Sequence, residues 1–221
     1  MKKYAVIVAG GTGTRMGSQV PKQFLSICGK PVLWYTVNTF LSAYDDIGVI
    51  LVLPAGHMEA GRAMAESWKM PDRIRLVAGG ETRFRSVSNG LELVEDEAIV
   101  GVHDGVRCLV SVGLVRRCFE QAAVLGSAIP VVACKDSVRL VTDGGSEVVD
   151  RSRVRLVQTP QTFLSRILLP AYGAEYRERF TDEATVVEAA GHAVHLIEGE
   201  ENNIKITLPG DLLLAERLLQ K

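Results

Sequence analysis

Short apolar runs alternate with amphipathic stretches along most of this chain. Residues 4–8, 47–53, 74–77, 99–102 and 128–132 are strand-length runs built mostly of Val, Ile, Leu and Ala, and they are predicted to be strands buried on both faces. Between them, 32–41, 58–68, 86–94 and 114–125 repeat their apolar residues at helical spacing. Apolar strands alternating with amphipathic helices predict a doubly wound α/β fold with a mainly parallel sheet. The ligand site of such a fold lies beyond the carboxyl ends of the strands.

The rhythm changes after Pro130. Two extended runs, 138–142 and 148–150, flank Asp143-Gly144-Gly145, a turn signal that predicts a polar hairpin. This hairpin is the centre of a protruding β-arm over about 136–157. A two-stranded ribbon is marginal alone in water, so it needs a surface to pack on, and a second subunit is a candidate. The chain then returns through helical patterns at 167–176 and 183–190, strands at 194–197 and 204–207, and a closing helix at 211–219. No repeat, low-complexity tract or linker divides it, and one domain is expected over 1–221.

Composition narrows the classes. A chain of 221 residues with 47% hydrophobic and 23% charged residues has ample material for a core. With 25 Lys+Arg against 26 Asp+Glu it offers neither a nucleic-acid surface nor a membrane patch, so any positive field must be gathered in a pocket. Cys28, Cys108, Cys118 and Cys134 form no C-x-x-C pair, which argues against zinc or dithiol chemistry. With no signal-peptide pattern and no long apolar span, reduced thiols and a cytoplasmic location are expected. His192 and His195 fall on opposite faces of their strand pattern, which argues against a shared metal.

The chemistry concentrates at strand exits. The first run stops at Ala9-Gly10-Gly11-Thr12-Gly13-Thr14-Arg15-Met16-Gly17, followed by Pro21-Lys22-Gln23. Glycines there let backbone N–H groups close on phosphate oxygens, and Arg15 and Lys22 add charge that a bare turn does not need. No Gly-Lys-Ser/Thr follows, so this is not a P-loop. The spacing Gly11-x-Gly13-x-x-x-Gly17 is one residue too long for a dinucleotide fingerprint. A nucleoside triphosphate is the expected ligand.

At the exit of 99–102 lies His103-Asp104-Gly105-Val106-Arg107. Asp104 is placed to hold Mg²⁺ bridging phosphate oxygens, and Arg107 to grip an anionic substrate, although an Asp-Gly turn with a surface Arg reads similarly. In Gly79-Gly80-Glu81-Thr82-Arg83-Phe84-Arg85-Ser86, backbone groups could read a base or ribose, or Thr82 or Ser86 could simply cap a helix. Lys205, in Asn203-Ile204-Lys205-Ile206-Thr207, is a further candidate cation.

Together these segments resemble the sugar and polyol nucleotidylyltransferases, which are Rossmann-like. Further matches at Thr159-Pro160-Gln161-Thr162-Phe163 and Thr181-Asp182-Glu183-Ala184 narrow the similarity to the 2-C-methyl-D-erythritol 4-phosphate cytidylyltransferase family of isoprenoid biosynthesis. The resemblance covers essentially the whole chain. It implies transfer of CMP from CTP to the phosphorylated alcohol, with Mg²⁺ and release of pyrophosphate. It further implies that Ala9, Gly10, Gly11 and Gly13 cradle CTP while Gly80, Glu81 and Ser86 meet its base and ribose. Arg15, Lys22 and Lys205 match the cations around the reacting phosphates, and Asp104 matches the metal-linked aspartate. Arg107, Ser137, Arg151, Thr159 and Thr181 fall at positions that hold the phosphorylated alcohol, with Ser137 and Arg151 on an arm that reaches into the partner's site of a homodimer. The catalytic set is thus Arg15, Lys22, Asp104, Arg151 and Lys205.

Three departures stand out. Gly105-Val106-Arg107-Cys108 replaces the frequent Ala-Ala-Arg-Pro, Ser137 stands where Thr is common, and Arg85 occupies an often acidic place. The rival readings are a cytidylyltransferase acting on ribitol 5-phosphate or ribulose 5-phosphate, which shares the first loop, and a non-catalytic nucleotide-binding module. Retention of both Lys22 and Lys205 argues against the latter, because a sensor needs affinity rather than transition-state charge.

Overall fold

The computed structural model describes residues 1–11, 20–68 and 71–220. Strand β1 (Lys2–Val8) opens the chain, and a small hairpin, β2 (Ser26–Ile27) and β3 (Lys30–Pro31), leads into helix α1 (Val32–Ala43). Strand β4 (Ile47–Leu53), helix α2 (Met58–Ser67), strand β5 (Ile74–Ala78), helix α3 (Arg83–Leu91) and strand β6 (Ala98–Asp104) follow. Strands β6, β1, β4 and β5 lie side by side in that order, all parallel. Helix α4 (Val112–Leu125) begins under a Ser111 side chain that accepts from the Leu114 N–H and ends on Gly126 at φ 89°. It feeds β7 (Ser127–Ala133).

The arm is β8 (Val138–Thr142) and β9 (Gly145–Val149), an antiparallel ribbon that belongs to no other sheet. Leu140, Val141 and Val148 on it are exposed. The chain re-enters the main sheet through β10 (Arg155–Val157) and β11 (Gln161–Leu164), then runs through α5 (Ser165–Ala171), α6 (Glu183–Ala189), β12 (Leu196–Glu198) and α7 (Pro209–Leu219). Both β10 and β11 run antiparallel to β7, and β12 pairs parallel to it. Pro130, in the middle of β7, has no N–H to give to a ladder, and it faces the gap between β10 and β11, where its carbonyl accepts from Gln158.

The main sheet is covered on both faces, as its apolar strands predict. Ala5 and Ile7 of β1 and Val49, Leu51 and Leu53 of β4 pack with residues of α1, α2 and α4. Their neighbours Tyr4, Val6, Ile50 and Val52 join Phe84 and Val87 of α3, Leu168 of α5 and Val186 of α6 on the other face. This alternation is the period of two imposed by the strand. One sequence expectation fails: 204–207 is extended chain rather than a strand. Ile206 donates one backbone bond to the Val106 carbonyl, at 3.0 Å, and no ladder forms. Its alternating apolar residues are explained by burial of Ile206 against Val106, Ile27 and Ala215 of α7.

Candidate active site

The register of β1 and β6 sets Val8 beside Asp104, so both strands finish at one level of the sheet. The order reverses here, with β4 on one side of β1 and β6 on the other, which is where a doubly wound sheet leaves a crevice. A cleft of about 410 Å³ occupies this place. Ala9, Gly10 and Gly11 line it from β1, Gly80, Glu81, Arg83 and Ser86 from the entry to α3, and Asp104, Lys22 and Lys205 complete it. Residues predicted to bind CTP and residues predicted to be catalytic thus converge from stretches far apart in the chain.

Local chemistry explains each placement. Gln23, only 1% exposed, donates through Nε2 to the carbonyls of Ala9 (2.7 Å) and Gly11 (3.2 Å), which fixes the start of the glycine-rich loop. At the β5 exit, Thr82 is the N-cap of α3 and accepts from Arg85 N at 3.1 Å. Ser86 is not a cap: its hydroxyl accepts from Gly80 N (3.1 Å) and donates to Thr82 O (2.9 Å), folding the turn back on the helix. A Cβ on Gly80 would lie 2.5 Å from the Cβ of Arg85, so this turn requires glycine. Lys22 reaches across to the Ile206 carbonyl at 2.8 Å, and Asn203 donates to Thr159 O at 2.8 Å, so the 203–207 segment is tied in beside Lys205.

Asp104 is the electrostatic hub. Lys205 Nζ lies 3.0 Å and Arg107 Nε 3.5 Å from Oδ2, while Arg83 stands 3.4 Å from Oδ1. Burial opposes ionisation of Asp104, but Arg83, Lys205 and Arg107 outweigh it and hold the carboxyl far below the usual carboxylate range. Arg83 is itself raised: burial works against its charge, and Glu183 and Asp104 overcome it. His103 is fully buried and is pushed down to about 3, chiefly by desolvation, so it is a neutral imidazole. Its Nδ1 accepts from the Thr159 hydroxyl (3.0 Å), and its Nε2 faces the Arg107 carbonyl (3.3 Å).

The other predicted residues divide into groups. Thr159 is buried, with its hydroxyl already engaged by His103 and by the Asp104 N–H at 3.1 Å, so it braces the Asp104 backbone. Arg107 donates to the Asn203 carbonyl at 2.7 Å beneath the cleft. Thr181 is exposed just before α6. Ser137 and Arg151 are exposed at the two ends of the arm, away from the lining of their own chain's cleft, and Arg151 closes the arm base by donating to Lys135 O at 2.7 Å. Gly13 and Arg15 lie outside the described residues.

Sequence reasoning gave no role to Arg83 and Glu183. The signal was a cation in the first turn of a helix, where the macrodipole disfavours it unless an acid is near. That acid lies 100 residues away, which no local pattern reveals. Asp104 presents its carboxylate to the cleft from the end of β6, and Glu81 lines the cleft from the entry to α3. This donor set fits Mg²⁺, which commonly takes one or two carboxylates and completes its shell with phosphate oxygens and water.

The family model for 2-C-methyl-D-erythritol 4-phosphate cytidylyltransferase matches residues 4–221. This chain belongs to that family. It is 48% identical over 219 residues to the enzyme of that name from Bacteroides thetaiotaomicron, covering 99% of this chain and 100% of the relative. To the Porphyromonas gingivalis enzyme of the same name it is 47% identical, covering 99% and 98%. The fold agrees with the crystal structure of 2-C-methyl-D-erythritol 4-phosphate cytidylyltransferase from Thermus thermophilus, with a TM-score of 0.78, 35% identity and full coverage of both chains. It agrees also with 4-diphosphocytidyl-2C-methyl-D-erythritol synthase from Anaerococcus prevotii, with a TM-score of 0.85, 28% identity and coverage of 100% and 96%. The family is one of nucleotidyltransferases, so the chain is an enzyme of that class.

Proposed function

We infer that this protein transfers CMP from CTP to 2-C-methyl-D-erythritol 4-phosphate and releases pyrophosphate, as a step of isoprenoid biosynthesis. The observation that carries this reading is the gathering of Lys22, Arg83 and Lys205 with Asp104 around a glycine-edged cleft in a family member. The substrate phosphate is already an anionic nucleophile at neutral pH, so no strong base is needed. One of its oxygens forms a bond to the α-phosphorus, the bond to the bridging oxygen of the β-phosphate breaks, and pyrophosphate leaves. The difficulty is the approach of two anions and the charge that builds on the leaving group. Lys22, Lys205 and Arg83 supply fixed positive charge there, together with Arg15 by family resemblance. The backbone of Gly10 and Gly11 offers a surface on which phosphates can lie without a side chain between. Mg²⁺, held by Asp104 and phosphate oxygens, would neutralise charge on the triphosphate.

The working unit in this proposal is a homodimer built through the arm. Its support is the exposure of Val141 (83%) and Val148 (78%) on a ribbon that joins no other sheet. Ser137 and Arg151 then serve the partner's phosphorylated alcohol. No helix among the described residues is long and apolar enough to cross a membrane, and the proposed location is the cytoplasm. The test is pyrophosphate release with CTP and Mg²⁺, given methylerythritol 4-phosphate or ribitol 5-phosphate side by side. Turnover with the first alone is expected. Turnover with the second alone would move the enzyme to polyol activation.

A further inference from the structure

Arg83 is shared between two acids, unequally. Its terminal nitrogens make a two-pronged contact with Glu183, Nη1 to Oε1 and Nη2 to Oε2, the latter 3.1 Å. Toward Asp104 it presents Nε and Nη2, both at the longer distance of 3.4 Å from Oδ1. The Glu183 side chain is fully buried, while that of Arg83 keeps 28% exposure and lines the cleft. The acid is therefore behind the cation, and the cation stands between it and the substrate space.

Glu183 is itself held rigidly. Tyr172 donates to its Oε1 at 3.1 Å, and the Tyr172 ring stacks on Phe84, the residue next to Arg83, at 4.7 Å between centroids. The backbone around Glu183 is pinned from β11: Gln161 donates to Asp182 Oδ2 (2.9 Å) and accepts from Ala184 N (2.8 Å). A buried ion pair of this kind is a poor source of net stability, because desolvation offsets most of the attraction. Geometry is what such an arrangement fixes.

We propose that Glu183 is a positioning residue for nucleotidyl transfer: it holds the Arg83 guanidinium back from Asp104, leaving Arg83 facing the phosphates and Asp104 free to share its oxygens. Without the Glu183 charge, Asp104 is the carboxylate that Arg83 already contacts. The loose contact then closes, and the cleft loses both a placed cation and an available carboxylate oxygen. Displacements of about 1 Å at such a site cost as much as about a hundredfold in rate.

This inference rests on the proposed transferase reading, so the unaltered enzyme is assayed first. Its failure to turn over methylerythritol 4-phosphate would sink that reading, whereas the inference itself is judged on variants of an active enzyme. Four proteins are compared: the unaltered chain, Glu183→Gln, Arg83→Met and the double variant. In each, kcat, the KM for CTP and the thermal midpoint are measured. Glu183→Gln keeps the shape and an acceptor for Tyr172. It is expected to lower kcat about tenfold or more, with the KM for CTP changed less than about threefold. Added to Arg83→Met, it should lower kcat no further, and it should raise the thermal midpoint by removing an orphaned buried acid. A purely structural role predicts that the two kcat losses multiply and follow the melting temperatures. That result, or a Glu183→Gln enzyme with kcat within about twofold of normal, overturns the proposal. If Glu183→Gln is unfolded at the assay temperature, Glu183→Asp is read by the same criteria, since it keeps the charge and withdraws it by one methylene.

Discussion

Lys205→Ala separates the catalytic work of the cleft from its stability. The Lys205 ammonium is 3.0 Å from Asp104 Oδ2, but its side chain is 44% exposed and Asp104 keeps Arg83 and Arg107 as partners. Solvent screening at the half-exposed ammonium, with two cations left on the buried Asp104, reduces the loss to about 1 kcal/mol or less, which for a chain of this size is a shift of about 2–4 °C in the thermal midpoint. The effect on the reaction is of another order. A positioned charge acting on a developing phosphoryl anion contributes about a hundredfold to a thousandfold in kcat, or about 3–4 kcal/mol of transition-state stabilisation. Pyrophosphate release at saturating CTP and methylerythritol phosphate gives kcat, and circular dichroism gives the melt. A loss of about a hundredfold with a near-normal melt is expected, with part of it restored in Lys205→Arg, which keeps the charge. A kcat within about threefold of normal, or a loss that merely follows unfolding, would refute the assignment.

Lys22→Ala should likewise lower kcat by about a hundredfold or more; because Lys22 also ties down the Ile206 carbonyl, limited proteolysis of the variant should be faster around 203–207. Gly90→Ala would place a Cβ 2.7 Å from Val6 Cγ1 and 3.0 Å from Val52 Cγ2 where α3 crosses the sheet, so it should cost about 1–3 kcal/mol; an unchanged or raised thermal midpoint would contradict that packing. Of the four free cysteines, Cys28 is exposed whereas Cys108 and Cys118 are buried, with thiols pushed up to about 12 by burial, so a thiol reagent at pH 8 should label Cys28 first and reach the buried pair only on unfolding. Lys22→Ala and Arg151→Ala enzymes, each nearly inactive, should regain activity when mixed and allowed to exchange subunits; no recovery despite demonstrated exchange would place Arg151 in its own chain's site.

The parallel half of the fold was legible because β1 and β4 are apolar on both faces, and only burial between two helix layers explains such strands. In the antiparallel half β7 and the hairpin were legible, but β10 and β11 were not. Strands β10 and β11 are three and four residues long and flank a break opposite Pro130, too short for a periodic signal. The 204–207 segment has strand-like alternation for a different reason, since Ile206 is buried while Lys205 faces the cleft. At the site, glycine loops and an Asp at a strand exit are local patterns and could be read directly. Thr159 could not be understood from its neighbours, because its hydroxyl is taken by His103 and the Asp104 N–H, across 55 or more residues of chain.

The charge arrangement in the cleft follows from what it must bind. Arg83, Arg107 and Lys205 could not stay close together around a buried carboxylate without anions, and before substrate arrives the protein supplies them itself. Asp104 occupies the centre and Glu183 the rear, so the cations are held in place ahead of need. The two acids differ in the way this requires. Glu183 is fully buried behind Arg83, with Tyr172 as a further partner. Asp104 lines the cleft, holds its cations at 3.0–3.5 Å and can yield them in part when phosphate oxygens compete. An enzyme whose reaction brings two phosphorylated substrates together needs cations fixed in position but only loosely neutralised, because reorganisation at the moment of reaction would be charged against the rate. A permanent acid behind and a yielding acid in front meet that requirement with residues drawn from β6 and α6, elements that the sequence separates by most of its second half.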